Sequence, residues 1–524
     1  MSAAAVVADA PLADRLAAIV GVANVLTGDD DRRYYGSDIF RAGEVPVAVV
    51  LPGSIGELQD IVRIAAKHRI PITVRGGGAS YTDGYTHSRR DGITIGTDRL
   101  TAIHLDEAKN IVTVEPGVTW AELYEALKTR GLRTPFWGPF SGLAATISGS
   151  MSQNSISHGS GVSAESLLNI DVITGTGDLL TTGSAGGANS APFFRHFGPD
   201  LAGLFTGDCG ALGVKARITL KLIRRRDAFE AASFSFASFD AMHEAMRLIA
   251  IEAIDDENFG LDSTLQQGQI GRQDGVAAKA EIALNVLKSA TSLASGVKSL
   301  ARMAITGDRE LKAATYALHY LTDGVDQAEA RAKINVIKRI GSAHGEEIAN
   351  IVPTVVRGMP FAPLTNVLGP KGERWVPMHT LLPHDRVPGF HRALTAYWDA
   401  NRAIMDEHGI YNGAMFMAVG STAFVYEPTF YWPDARTIFH DRMVPSGHLA
   451  EVPAYAPNSA ARTEVDRMKK DVIDLMHQHG GAHLQIGKVY PLLPGRNPAS
   501  VALLRAIKSA LDPRNIMNPG ALGL

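Results

Sequence analysis

The sequence predicts an α+β protein with more than one domain, and two observations lead to this prediction. The chain has 524 residues, which is enough for two or three domains with large cores. Short β-rich runs, turns and a few helices fill residues 44–225, whereas longer alanine-rich helices fill residues 226–455. We therefore expect a helical extension at 1–43, two domains at 44–225 and 226–455, and a C-terminal segment at 456–524.

Composition and charge narrow the classes of function. There are 51 basic and 54 acidic residues, so the net charge of -3 gives no reason to expect nucleic acid as a partner. The single cysteine, Cys209, excludes an intramolecular disulfide. No run of 18 apolar residues predicts a transmembrane helix, and Asp9, Asp14 and Arg15 do not fit a secretory signal. We expect a cytoplasmic protein.

Local patterns predict individual elements of the first domain. Ser54 with Glu57, and Thr119 with Glu122, have the spacing of capping boxes and predict the starts of two helices. Residues 214–223 alternate apolar with polar side chains, which predicts a half-buried strand.

Residues 276–305 predict a helix that Gly296 interrupts. Lysine and arginine side chains along it leave two interpretations open. One is a helix of the second domain, which we favour, and the other is a helix lying on a membrane surface.

The strongest local feature is a glycine-rich loop directly after a predicted strand at residues 72–75. The residues of interest are Arg75, Gly76, Gly77, Gly78, Ala79, Ser80 and, further on, Gly84. Three consecutive glycines can bring several backbone N–H groups close to a ligand, and such a concavity suits a pyrophosphate. A plain glycine-rich turn is the alternative interpretation. The loop is not a Rossmann fingerprint, because no G-x-G-x-x-G opens a helix here.

Two further stretches are candidates for ligand contact. Residues 139–154 are dominated by small and hydroxyl-bearing residues, which suit a backbone lying flat against a planar polar ligand. A disordered serine–glycine linker is the alternative, although Leu143, Ile147 and Met151 fit it poorly. Residues 207–214 form a glycine-containing turn that leads into a strand, and by themselves they indicate only a strand entry.

The order of these motifs resembles the FAD-linked oxidases of the vanillyl-alcohol oxidase / p-cresol methylhydroxylase (PCMH) family. The matching features are Arg-Gly-Gly-Gly-x-Ser, an Ala-Thr-Ile-x-Gly stretch, a Gly-x-x-Gly-x-Leu-Gly-Val turn and a terminal Asn-Pro-Gly. The flavoprotein D-lactate dehydrogenases are similar. The resemblance implies a PCMH-type two-subdomain FAD-binding domain, an α/β cap domain for the substrate, and a C-terminal segment that returns to the FAD domain.

The resemblance assigns FAD contacts residue by residue. They are Arg75, Gly76, Gly77, Gly78, Ala79, Ser80, Gly84, Pro139, Ser141, Gly142, Thr146, Ser148, Gly149, Ser152, Gly213, Val214 and Asn518. Some relatives attach FAD to a histidine where this chain has Ala79. No histidine occurs between His408 and His440, near the second attachment point, which leaves Tyr426 as a candidate. We expect FAD to be non-covalent.

The resemblance also indicates catalytic candidates. The loop that contains His483 and Lys488 is similar to a family loop that reaches over the flavin. His483 is the first candidate for a base or substrate-orienting group, and Lys488 could bind a carboxylate or the negative charge of reduced flavin. Tyr426, Tyr490 and His379 are weaker candidates, because core packing explains each equally well. The His-x-His strand motif of metal-dependent relatives is absent, so we expect no metal.

The resemblance implies an FAD-dependent oxidoreductase that oxidises a CH–OH or benzylic C–H group by hydride transfer to flavin N5. We favour a small phenolic or aromatic alcohol as substrate, with a 2-hydroxy acid of the D-lactate or glycolate type as the alternative. A non-redox enzyme similar to alkyl-glycerone-phosphate synthase and a nucleotide-binding module without activity are further alternatives. The sequence leaves open whether oxygen, a cytochrome or a quinone reoxidises the flavin, and whether the protein is a homodimer.

Overall fold

The computed structural model describes residues 11–156, 161–272 and 314–524. The helix expected at 276–305 lies outside the described residues. Within the described ranges, the strands form sheets of four, five, two and eight strands. The helices of these ranges include none that is long and apolar enough to cross a membrane.

A four-stranded sheet opens the first domain. Its strands, in spatial order, are β1 (Val25–Leu26), β2 (Ala48–Val50), β4 (Ile93–Gly96) and β3 (Ile72–Arg75). β4 pairs in parallel with both β2 and β3. Parallel strands need a crossover connection, and a helix at Ile55–His68 provides it between β2 and β3. The buried strand β3 therefore ends directly before the glycine-rich loop.

A five-stranded antiparallel sheet forms the second half of this domain. Its strands, in spatial order, are β5 (Ile103–Asp106), β6 (Ile111–Val114), β10 (Val214–Lys221), β8 (Leu167–Ile173) and β9 (Leu179–Thr181). Two short strands, β7 (Leu132–Arg133) and β11 (Ile223–Arg224), form a separate antiparallel pair. The turn at residues 207–213 feeds directly into the central strand β10.

The strand predicted at residues 214–223 forms at Val214–Lys221, but the expectation that it is half-buried was wrong. β10 is central in its sheet, and polar side chains on its second face are also buried. Lys215 is buried against Asp208, with 2.5 Å between Nζ and Oδ1, and the hydroxyl of Thr219 lies 2.9 Å from that of Thr113. These polar side chains find partners inside the protein, so alternation with polar residues did not indicate exposure.

The second domain, which we call the cap, is built on an eight-stranded antiparallel sheet. Its strands are β12 (Ala228–Phe236), β13 (Glu257–Asp262), β14 (Tyr316–Gly324), β15 (Glu346–Ile348), β16 (Arg374–Pro377), β17 (Thr380–Pro383), β18 (Tyr411–Val419) and β19 (Ala423–Trp432). The spatial order is β15-β12-β14-β13-β18-β19-β16, and β17 also pairs with β19.

Helices surround the sheets. The described α-helices are α1 (Leu12–Val20), α2 (Asp29–Tyr35), α3 (Ile55–His68), α4 (Trp120–Lys128), α5 (Ile147–Gln153), α6 (Phe239–Glu252), α7 (Ser263–Arg272), α8 (Gln327–His344), α9 (Ile351–Gly358), α10 (Val387–His408), α11 (Ile438–Met443), α12 (Ser446–Glu451), α13 (Ser459–Gln478) and α14 (Pro498–Leu511). Helices α6, α8, α10 and α13 contribute buried side chains to the large core of the cap.

Both predicted N-caps form. The Thr119 hydroxyl accepts the N–H of Glu122, whose carboxylate accepts the N–H of Thr119, which completes a capping box. The Ser54 hydroxyl accepts the N–H of Glu57. The carboxylate of Glu57 differs from the prediction, because it accepts the N–H of Gly53 at 2.7 Å and not that of Ser54.

The C-terminal tail lies along the edge of β3. The N–H of Ile72 donates to the carbonyl of Ile516, and the N–H of Asn518 donates back to the carbonyl of Ile72, each at 2.8 Å. Buried Asp512 accepts the N–H groups of Ile516 and Met517 and pairs with Lys508 at 2.6 Å. The tail is therefore held beside the glycine-rich loop by backbone pairing and one buried ion pair.

We expect Lys508→Ala to lower the free energy of unfolding by about 3 kcal/mol, because it leaves the buried Asp512 carboxylate without its cation. The Lys508 Nζ also donates to the carbonyls of Ala211 and Met517, which would lose their partner. Urea unfolding measures the change, with exposed Arg505→Ala on the same helix as the matched control. Equal unfolding midpoints for the two variants would contradict this account of the tail.

Candidate functional site

A cavity of about 830 Å³ lies between the loops of the first domain and the cap. The first domain contributes the glycine-rich loop, the hydroxyl-rich stretch and the turn before β10. The cap contributes one face of its sheet together with α9 and the segment that follows it. All three stretches that the sequence singled out therefore meet at one cavity.

The glycines of the loop are required by close packing. A Cβ on Gly77 would overlap the carbonyl of Ala144, and one on Gly76 would overlap the hydroxyl of Thr146. Gly78 has a φ of 73°, in the left-handed region that favours glycine. The loop backbone thus lies directly on the hydroxyl-rich stretch, where no side chain fits between them.

The polar groups of the loop suit an anion. The backbone N–H groups of residues 76–80 donate to no acceptor among the described residues. Behind them, the buried Arg75 guanidinium lies 4.2 Å and 4.8 Å from the ring centroids of Tyr34 and Tyr35. Its Nε and Nη2 atoms have no hydrogen-bond partner within the described ranges. Free N–H groups with a buried positive charge behind them fit the pyrophosphate of FAD.

Most of the predicted cofactor residues line the cavity. They are Gly76, Gly77, Gly78, Ala79, Ser80, Gly84, Pro139, Ser141, Thr146, Ser148, Gly149, Ser152, Gly213 and Val214. Arg75, Gly142 and Asn518 are outside the described lining. Arg75 lies behind the loop, and Gly142 packs against the ring of Phe361, where a Cβ would overlap it.

Asn518, in the C-terminal tail, hydrogen-bonds to segments beside the cavity. Its side-chain amide donates to the carbonyls of Gly84 and Cys209, each at 2.6 Å, and its Oδ1 accepts from Lys488 Nζ at 2.7 Å. Lys488 also donates to the carbonyl of Thr86 at 2.5 Å. Burial lowers the pKa of Lys488 to about 8. Asn518 and Lys488 therefore join the tail to the segment at residues 84–86 and to the turn before β10, and neither is among the described residues that line the cavity.

One face of the cap sheet covers the cavity. Alternate residues of β19 line it, namely Glu427, Thr429 and Tyr431, as the period of two along a strand requires. Neighbouring strands contribute Phe259, Leu261, Met415, Met417, Trp375 and Pro377. The cap therefore presents mainly apolar and aromatic surface.

Glu427 is the one carboxylate among the described lining residues. It lies opposite Met415 on β18, and the described residues offer it no hydrogen-bond or ion-pair partner. Burial raises the pKa of Glu427 from 4.5 to about 7. The described lining also contains one cation, Lys215, which is paired with buried Asp208.

Tyr426 lies on the opposite face of β19 from Glu427. Its hydroxyl is 2.9 Å from Nδ1 of His391, and its ring packs edge-to-face against Phe390 and Phe416 in the core. The structure therefore directs this candidate away from the cavity.

His379, His483 and Tyr490 form a cluster beneath the cavity. Nδ1 of His483 donates to the carbonyl of His379 at 2.8 Å, and the Tyr490 hydroxyl accepts the N–H of His379 at 2.9 Å. The His483 ring stacks on Tyr490 with 4.1 Å between centroids. Burial lowers the pKa of His379 to about 3 and that of His483 to about 4. All three lie outside the described lining, and both histidines are neutral at pH 7.

This cluster positions the loop that reaches the cavity. Nε2 of His379 accepts the N–H groups of Leu484 and Gln485 at 3.1 Å and 3.2 Å. Gln485 lines the cavity, and its side-chain amide donates to the Tyr81 hydroxyl at 3.3 Å. Tyr81 and Gln485 are thus the polar groups that the loops place near the apolar face of the cap.

Sequence reasoning missed Glu427, Gln485, Tyr81 and Trp375. For Glu427 a signal was present, because it is an acidic residue inside a strand that is otherwise mostly apolar and aromatic. Period-two alternation places residues 426 and 427 on opposite faces of a strand, so the two could not both face the cavity. For the other three, the fold alone brings distant segments together.

Two family models match the chain. One, described as an FAD binding domain, matches residues 46–183. The other, described as the C-terminal domain of FAD linked oxidases, matches residues 227–522 and alone covers more than half of the chain. The chain belongs to the FAD-linked oxidases. The predicted family, its enzymatic class and FAD as cofactor are thereby confirmed.

Curated relatives match only part of this FAD-linked oxidase. An uncharacterized FAD-linked oxidoreductase of Mycobacterium tuberculosis is 27% identical over 287 residues, which are 52% of this chain and 60% of the relative. The mitochondrial D-lactate dehydrogenase (cytochrome) of Arabidopsis thaliana is 32% identical over 210 residues, 38% of this chain and 35% of the relative. The chain thus aligns with less than two thirds of the length of these relatives.

Solved structures share its fold over nearly the whole chain. A p-cresol methylhydroxylase with bound substrate has a TM-score of 0.71 at 17% identity, covering 98% of this chain and 96% of that one. A 4-ethylphenol oxidase from Gulosibacter chungangensis has a TM-score of 0.70 at 16% identity, with the same coverage. An alkyldihydroxyacetonephosphate synthase reaches 0.65 at 16% identity, covering 97% and 84%. The predicted PCMH-type fold is confirmed.

We expect Gly77→Ala to weaken FAD binding about tenfold or more, a loss of about 1.4 kcal/mol, because the new methyl group displaces the loop from Ala144. Fluorescence titration of apoprotein with FAD measures the dissociation constant. Gly56→Ala is the matched control, since its Cβ would meet only the Ser54 hydroxyl at 3.9 Å. Wild-type affinity in the Gly77 variant would show that the loop does not hold the cofactor.

Proposed function

We propose that this FAD-linked oxidase removes hydride from a CH–OH or benzylic C–H carbon of a neutral, largely apolar substrate, with a phenolic or aromatic alcohol as the best fit. The observation that carries the proposal is the apolar face of the cap, which lines the cavity without an unpaired cation among the described residues. FAD, when bound, supplies the two-electron acceptor.

The cap side of the cavity suits an aromatic ring. Phe259, Trp375 and Tyr431 offer aromatic surfaces, and Met415 and Met417 offer flexible apolar ones. A substrate hydroxyl would find hydrogen-bonding groups at Tyr81 and Gln485. These residues exclude water from the ring and orient one polar end of the substrate.

A 2-hydroxy acid is the alternative substrate. The names of relatives favour it, since a glycolate oxidase subunit of Bacillus subtilis is 27% identical over 202 residues and the Arabidopsis relative is a D-lactate dehydrogenase. A buried substrate carboxylate needs a cation or several hydrogen-bond donors. Lys215 already pairs with Asp208, and the Glu427 carboxylate would repel a second anion. These charges count against the acid.

The two substrate classes are separable in one anaerobic experiment. We expect 4-hydroxybenzyl alcohol to bleach the flavin of the purified protein, because its neutral ring matches the apolar cap, and D-lactate and glycolate to leave it oxidised. Stopped-flow absorbance in the visible band measures the rate of reduction.

Fast bleaching by D-lactate or glycolate alone would overturn the proposed substrate class. Bleaching by no compound of either class would instead favour a non-redox enzyme similar to alkyl-glycerone-phosphate synthase, whose fold this chain shares.

We also propose that FAD is held non-covalently. Ala79 stands on the glycine-rich loop without a nucleophile, and the hydroxyl of Tyr426 is bonded to His391 on the far face of β19. We expect acid precipitation to release all yellow colour into the supernatant, and absorbance of pellet and supernatant measures the partition. Colour retained in the denatured pellet would contradict the proposal.

A further inference from the structure

We infer that Glu427 is the catalytic base, which accepts the proton of the substrate hydroxyl as hydride leaves the substrate. This inference deepens the proposed function and rests on it. It concerns a residue outside the short motifs that carry the sequence resemblance, since those motifs lie in the FAD domain and the tail.

Strand geometry places the Glu427 carboxylate in the cavity. β19 pairs with β18 along residues 423–431 without a register shift, so residues 427, 429 and 431 share one face and Tyr426 lies on the other. The lining confirms this division, because it includes Glu427, Thr429 and Tyr431 and omits Tyr426.

The surroundings of Glu427 leave its carboxylate available. Met415, which faces it across the strand pair, offers no hydrogen bond donor. Among the described residues, the titratable groups that interact with it electrostatically are Tyr81 and Tyr490. Burial raises the pKa of both hydroxyls, the hydrogen bond from the N–H of His379 lowers that of Tyr490 in part, and the Glu427 charge raises both. Both tyrosines therefore stay neutral, and the structure describes no cation that neutralises Glu427. A buried carboxylate without a cation destabilises the fold, so its presence in the cavity indicates a role in function.

The proton and electron balance of the step is complete. The substrate C–H bond breaks, and its hydride, with two electrons, passes to FAD. The substrate O–H bond breaks, and its proton passes to a carboxylate oxygen of Glu427. The carbon–oxygen single bond becomes a carbonyl, so the substrate is oxidised by two electrons, FAD is reduced by two, and Glu427 becomes a neutral acid.

The environment of Glu427 also gives it a pKa that suits a general base at neutral pH. Burial holds the pKa of Glu427 at about 7, where a carboxylate is both partly ionised at neutral pH and basic enough to take a proton. His483 and His379, which are the other general-base types near the loop, have pKa values lowered by burial and lie outside the described lining.

Anaerobic single-turnover reduction of the holoenzyme tests the role. The probe is 4-hydroxybenzyl alcohol, or another alcohol of the panel that reduces the wild-type flavin. We expect the wild-type rate at saturating substrate to rise with pH through about 7. Glu427→Gln should lower that rate about 100-fold or more and abolish its rise with pH. Glu427→Asp keeps a carboxylate, so it should retain part of the rate and part of its rise with pH. Substrate affinity should change much less than the rate. Exposed Glu407→Gln on α10 is the matched control.

A second readout needs no substrate. Because the folded-state pKa of Glu427 lies above that of an unfolded glutamate, its contribution to stability is full at low pH and is lost as the pH rises through about 7. Glu427→Gln should therefore melt at a higher temperature than wild type at pH 8, and the gap should close towards pH 5. Glu407→Gln should follow wild type at both pH values.

The outcomes separate the two proposals. A wild-type flavin that the panel reduces, together with equal rates and equal pH profiles in Glu427→Gln, overturns the catalytic base and leaves the proposed function standing. A wild-type flavin that no alcohol or phenol reduces overturns both. Identical melting curves of wild type and Glu427→Gln at pH 8 would show that Glu427 is not an unpaired, desolvated carboxylate, which also overturns the inference.

Discussion

The contact of two backbone segments, the glycine-rich loop and the hydroxyl-rich stretch, is the constraint on which the rest of the site depends. No side chain fits between Gly77 and Ala144, so at residues 76–78 the loop presents only backbone groups to the cavity. A buried positive charge at Arg75 lies directly behind these groups. The tail holds the end of the loop against the turn before β10, because Asn518 bonds to the carbonyls of both Gly84 and Cys209. One end of the cavity thereby offers groups that suit a phosphate-bearing cofactor, and the cap contributes none of them.

In the function that we propose, the cap gives an organic substrate an apolar surface beside a polar cofactor. Its antiparallel sheet separates two sets of side chains by strand alternation, so one face joins the core with Tyr426 and the other faces the cavity with Glu427. The buried histidine–tyrosine cluster at residues 379, 483 and 490 supports this arrangement by holding Gln485 in place. His379, His483 and Tyr490, which the sequence suggested as catalytic candidates, thus hold the loop in place, and the candidate that we propose, Glu427, is the sequence neighbour of Tyr426.

The sequence predicted features that depend on neighbouring residues, and it could not predict features that depend on residues distant in sequence. Local signals sufficed for the helix starts at Ser54 and Thr119 and for the glycine-rich loop, because capping and close backbone approach depend on neighbouring residues. They failed for Lys215, whose burial depends on a partner at Asp208, and for Glu427, whose environment is created by strands distant in sequence. Tyr81 and Gln485 are 404 residues apart, and only the tertiary fold brings them together.

Hydrogen–deuterium exchange of the apoprotein with and without FAD tests the central claim most directly, since it reports on the backbone N–H groups themselves. If the glycine-rich loop and the hydroxyl-rich stretch hold the cofactor, FAD slows exchange in peptides that span residues 76–80 and 144–149, while peptides from α10 on the cap surface exchange at unchanged rates. Exchange at 76–80 that stays as fast in saturating FAD as in the apoprotein would contradict the account.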